Sequence, residues 1–171
     1  KMLIPKALKE GVLFHKSSAE RLYNFRGFHV YLKNDRLEIN MAHTAPSNAL
    51  TRVSTASVPR DRWLHLTLTY DGSSRASGFN LYQDGQVLAM ETTMDQLYKD
   101  ILLVGNPQQG LQIGAWWRGL GFKGGQVDDI SVYNRELTPF EVGVLAQKQS
   151  WAKVASKPVA QLSKAEKGHL L

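Results

Sequence analysis

The sequence predicts an all-β domain: an antiparallel two-sheet sandwich of jelly-roll type, closed by a C-terminal helix. Three observations predict it. In Trp63–Gly72 (WLHLTLTYDG), Leu64, Leu66, Leu68 and Tyr70 alternate with Trp63, His65, Thr67 and Thr69. That period of two belongs to a strand with one apolar face. Asp84-Gly85 sits between the β-rich runs Phe79–Tyr82 and Gln86–Met90, a strong hairpin signal. About nine short segments of this kind occur without βαβ alternation, which points to two packed sheets.

Taken in order, Met2–Pro5 reads as the end of a strand whose beginning is missing. Gly11–His15 and Phe28–Lys33 are strands, and Asn34-Asp35 turns the second into Arg36–Ala42, where Leu37, Ile39 and Met41 share a face. Ala49–Ser54 follows, then the polar turn 59–62 before Trp63. Thr92–Gly110 reads as a long irregular loop, a length associated with function or disorder. Leu111–Gly114 is a short strand, 119–125 is glycine-dense, and Gln126–Tyr133 is a strand. Thr138, Pro139 and Glu141 then form a capping box with proline at the first helical position. Phe140, Val144, Trp151 and Val154 recur at helical spacing, so one helix is expected up to Lys157-Pro158. Ser163 and Glu166 open a second. Residues 1–147 are expected to be the jelly roll and 148–171 a Lys-rich helical tail or linker.

The 171 residues carry a formal charge of +6, and the body from Gly11 to Gln147 holds 13 basic and 13 acidic residues. The excess lies in the two flanks, not on a basic face of the folded body, so a nucleic-acid partner is not expected. The absence of cysteine excludes disulfides and thiolate metal sites. No apolar run reaches the ~18–20 residues of a membrane-spanning helix. The chain opens on Lys1 without a signal sequence, and we expect it to be a fragment of a longer protein.

Trp63, His65, Thr69-Tyr70-Asp71-Gly72, then Tyr82, Asp84-Gly85, Ile113-Gly114, Phe122-Lys123-Gly124 and the block Val127–Val142 together resemble the laminin-G-like jelly roll of the concanavalin A-like lectin/glucanase superfamily. A narrower set, including His43, Pro46, Asn48, Ala76, Gly78, Asp95, Leu97 and Ile101, resembles jelly rolls inserted in large bacterial secreted proteins that also carry cytochrome c-like domains. The resemblance implies a non-catalytic binding module for glycans, or an insert that positions neighbouring domains. It also implies an extracellular or periplasmic location, and Ca²⁺ as a candidate ligand.

Several residues are candidates for the site. Trp116 and Trp117 with Arg118 offer an aromatic platform with a polar partner; the same residues serve equally well as a cap on the hydrophobic edge. His43 and Asn48, in the loop HTAPSN, offer hydrogen bonds to a ligand or simply make a turn. Asp71, Asp128, Asp129 and Asn134 are candidate metal ligands, although a calcium site takes ~6–8 oxygens. Catalysis is not expected. Retaining glycosidases use two carboxylates about 5–5.5 Å apart, and Glu38 stands without a carboxylate partner on its strand while Asp128 and Asp129 face opposite ways.

Overall fold

The computed structural model describes residues 1–17, 26–102, 110–115 and 120–170. Alternation dictates its main layer. The strands β2 (Glu10–Ser17), β3 (Gly27–Lys33), β4 (Arg36–Thr44), β5 (Asn48–Ser54), β10 (Met90–Asp95) and β11 (Gln112–Ile113) form a six-stranded sheet in the order β10-β5-β4-β3-β2-β11, antiparallel throughout. Its inner face presents Leu13, Val30, Leu32, Leu37, Ile39 and Leu50, all fully buried. The opposing layer is two three-stranded sheets. One is β7 (Leu66–Tyr70), β8 (Phe79–Gln83) and β9 (Gln86–Val87); the other is β12 (Gln126–Val127), β1 (Met2–Leu3) and β6 (Trp63–Leu64). They supply Leu64, Phe79, Leu81 and Met2 to the same core. The jelly-roll sandwich expected from the sequence is the architecture found.

The tight turns are where the sequence places them. Asn34 and Asp35 have φ of 51° and 60°, and Asp84 and Gly85 have 51° and 80°, the positive pair of a type I′ hairpin. The long strand expected from Trp63 to Gly72 is interrupted at His65. Its N–H donates to the Asp84 carboxylate (2.9 Å) while its carbonyl accepts from the Asp84 N–H (2.8 Å). One side chain thus replaces a ladder bond, and the strand passes from one small sheet to the other. Arg52 spans the layers: it stands opposite Ile39 in the large sheet, and its guanidinium donates to the carbonyls of Phe79 and Met90.

Three expected elements differ. The segment read as irregular from Thr92 begins inside β10, which pairs with β5 through a bulge between Thr92 and Met94; cross-strand pairing wins over weak local propensity. Of Gln126–Tyr133, only Gln126 and Val127 form a strand, paired with β1, and Asp128 exchanges backbone hydrogen bonds with Lys1. The single helix expected from Thr138 is α1 (Pro139–Leu145) followed by α2 (Trp151–Ala155), broken where Gln147 adopts φ 58°. Turning there lets Phe140 meet Trp151 edge-on at 4.5 Å and gather Val154 and Leu162 into a small cluster. A straight helix would place them along one face without a partner. The second helix, α3 (Lys164–Leu170), is present where Ser163 and Glu166 predict it, and both capping bonds form.

The capping box of α1 is complete: Thr138 accepts from the Glu141 N–H, and Glu141 accepts from the Thr138 N–H. Replacing Thr138 by Ala is expected to cost about 1 kcal/mol of stability in urea denaturation. Arg135, then the Thr138 groups, hold the Glu141 carboxyl down from 4.5 to about 2; Lys157 and Ser163 do the same for Glu166. The unfolded chain therefore takes up these protons first on acidification. Stability is expected to fall between pH 4.5 and about 2, and Glu141→Gln should flatten part of that fall in acid titrations followed by circular dichroism.

Candidate functional site

The outer face of the large sheet is built by the positions that the core does not use. On β3 these are His29, Tyr31 and Lys33; on β4 they are Glu38, Asn40 and Ala42. Register aligns them into rows: His15, His29, Asn40 and Thr51 lie side by side across β2–β5, and Tyr31 stands opposite Glu38 in the next row. Asn40 Nδ2 donates to Thr51 Oγ1 at 2.8 Å, and His29 Nε2 lies 3.5 Å from Glu38 Oε1. The His29 and Tyr31 rings meet edge-on, with centroids 6.3 Å apart. The surface is therefore an ordered set of donors and acceptors with the Tyr31 phenol ring among them.

Burial grades this surface. His15, only 2 % exposed, has its basicity lowered chiefly by burial, which favours the neutral ring at neutral pH. Burial, then Glu10 and Glu38, push the Tyr31 phenol up to about 12, so it remains a hydrogen-bond donor. Asn40 Oδ1 is buried with no partner among the described residues. Glu38 keeps about a third of its side chain exposed. It lines a depression of about 450 Å³ with Lys33, Asn34, Arg36 and Val53. Two cations thus flank one reachable carboxylate.

His43 and Asn48 lie at one end of the same sheet and hold the chain that follows β10. Asn48 Oδ1 accepts from the Tyr98 N–H (3.2 Å), His43 Nδ1 donates to the Asp100 carbonyl (2.8 Å), and Arg26 Nη1 reaches the Leu102 carbonyl (3.5 Å). These contacts fall in succession on β5, β4 and the entry to β3, so residues 98–102 form a strap across the strand ends. With Nδ1 donating, His43 Nε2 is the acceptor that faces Arg26 Nη2 at 3.3 Å. Asn48 is 2 % exposed, and its hydrogen-bonding oxygen is already used.

The three carboxylates among the candidate metal ligands each have a local or ion-pair partner, and Asn134 lines a cleft with Asp129. The Asp71 carboxylate accepts from the Ser73 N–H, Asp128 accepts from the Asp129 N–H, and Asp129 pairs with the Lys1 ammonium. Among the described residues no three His, Cys, Asp or Glu side chains come together to hold a metal, far short of a calcium shell. Trp116, Trp117 and Arg118 lie outside the described residues. Sequence reasoning passed over His29, Tyr31 and Asn40 and weighed Glu38 only as a catalytic carboxylate. Their signal was present: each occupies every second position of FHVYLK and RLEINMA. What the sequence does not show is that register sets them side by side.

Asn48→Ala removes the anchor of the strap and leaves the Tyr98 N–H unpaired. Amide exchange at 96–102 is expected to quicken at least tenfold, with the β3–β4 amides unchanged, as read by hydrogen–deuterium exchange.

A family model of the concanavalin A-like lectin/glucanases superfamily, of laminin G type, matches residues 5–143. No curated protein matches the chain. Among solved structures, an S-layer domain-containing protein (residues 221–444) from Clostridium thermocellum is similar at 18% identity and a TM-score of 0.40. That match covers 82% of this chain, and the chain spans 64% of the other's length. With its antiparallel sandwich and a family match over most of its length, the chain belongs to the concanavalin A-like lectin/glucanases superfamily.

Proposed function

We propose that this binding domain is a non-catalytic carbohydrate-binding module of a larger extracytoplasmic bacterial protein, and that it holds its glycan on the outer face of the six-stranded sheet. The observation that carries this reading is the row Tyr31–Glu38 beside His29–Asn40, flanked by Lys33 and Arg36. A sugar presents hydroxyls on its rim and C–H groups on its faces. Glu38 can accept from two neighbouring hydroxyls, Lys33 and Arg36 can donate, and an aromatic ring suits a C–H face. The array sits on paired strands, so its geometry is set before the ligand arrives, which lowers the ordering cost of binding.

The non-catalytic part rests on the carboxylates. Glu38 is engaged by His29, and Glu10 by the Tyr31 hydroxyl, which stands between the two acids. Both acids are thus engaged by neighbouring side chains, which does not favour the free acid and base or nucleophile that glycoside hydrolysis uses. Among the described residues no helix is long and apolar enough to cross a membrane.

A glycan array run with and without calcium tests the reading. At least one glycan is expected to bind in both conditions, and Glu38→Gln should weaken it about tenfold or more without shifting the melting temperature, since the side chain is partly exposed. No binding in either condition would sink the proposal. Binding unaffected by Glu38→Gln and Tyr31→Ala would move the site elsewhere.

A further inference from the structure

A second concavity lies on the opposite side of the sandwich, a cleft of about 580 Å³. One bank is β7. All five of its residues, Leu66 to Tyr70, line the cleft. Side chains alternate faces along a strand, so what five consecutive residues share is their backbone edge. Among the described residues β7 pairs only with β8, which leaves that edge open. The other bank is the run 129–135. It leaves Ile130 56% and Val132 75% exposed, although both are residues that favour strands. The floor is the inner face of the large sheet, at Phe14, Phe28 and Met41. An open edge, a strand-like run without a ladder and an apolar floor together have the shape of a sheet that lacks one strand.

The pairing of β1 says which strand. Met2 is the antiparallel partner of Leu64 on one side and of Val127 on the other. The ladder reaches one residue further back, where Asp128 N donates to the Lys1 carbonyl (3.0 Å) and Lys1 N donates to the Asp128 carbonyl. A chain continuing β1 beyond Lys1 in the same direction therefore runs between the two banks. In the same register, its five residues nearest Lys1 fall opposite Leu66–Tyr70 on one side and 129–133 on the other. At about 3.3 Å per residue this is a strand of ordinary length.

We infer that the cleft is the seat of one β-strand, supplied by polypeptide that continues β1 on its N-terminal side. The strand completes both small sheets by main-chain pairing and covers Phe14, Phe28 and Met41 with alternate apolar side chains. The inference is independent of the glycan reading, since it concerns the other layer and needs no sugar.

The test extends the 171-residue chain at Lys1 by six residues of alternating Val and Thr, in both phases of alternation. The control is the same extension with Pro at alternate positions, which cannot donate to a ladder. One phase is expected to raise the melting temperature by about 5 °C or more and to slow amide exchange in Leu66–Tyr70 and 130–133 at least tenfold. The Pro control should do neither. Equal behaviour of both phases and the Pro control would overturn the inference. It would also be overturned if the free hexapeptide, mixed one to one with the unextended chain, protected these amides as well as the tethered one, because the strand would then come from a separate partner. Protection of Leu66–Tyr70 that rises with the concentration of the unextended chain would overturn it in favour of a second copy.

Discussion

Everything in this domain follows from the need to cover one face of the six-stranded sheet. Val30, Leu32, Leu37, Ile39 and Leu50 project from three neighbouring strands onto that face. Leaving them in water would forgo roughly 1.5–3 kcal/mol for each. Leu64, Phe79 and Leu81 from the opposing layer meet them. The cover is incomplete at one end, where Phe14, Phe28 and Met41 line the cleft beside β7. The same demand that makes the sandwich thus leaves a large apolar opening.

Using one face for the core frees the other for chemistry. Strands held at fixed spacing turn the outward residues of β3 and β4 into a surface whose groups cannot drift apart. The binding array and the core are two sides of the same alternation. Arg52 is a charged residue on the inner face, half-buried, and it hydrogen-bonds carbonyls of both layers. Bringing a guanidinium away from water is costly unless its donors are met, and Arg52 Nε has no partner among the described residues. Here Phe79 and Met90 meet two of them, and the contact fixes how the layers sit on each other.

Much of this was legible in the residues. The alternation in β3, β4 and β7, the turn pairs Asn34-Asp35 and Asp84-Gly85, and the caps at Thr138 and Ser163 are local signals, and each produces the expected element. The failures share a physical cause. The break at His65 depends on Asp84, and the turn at Gln147 lets Phe140 reach Trp151. The strand β10 exists through its pairing with β5. In each case a distant contact outweighs the local preference. The candidate site shows the same division. His43 and Asn48 stand out as polar loop residues, yet only the path of residues 98–102 reveals that they hold a strap. Glu38 looks solitary until register brings Tyr31 and His29 beside it.

By itself the sequence determined the class of the fold, the faces of its strands, its tight turns and its helix starts. Period, turn chemistry and capping act over a few residues, so a few residues suffice to read them. Only the tertiary structure decided which polar residues become neighbours, where Arg52 crosses the core and where the sandwich stays open. Those outcomes depend on pairing between strands far apart in the chain, and a one-residue change of register would send every side chain of a strand to the opposite face.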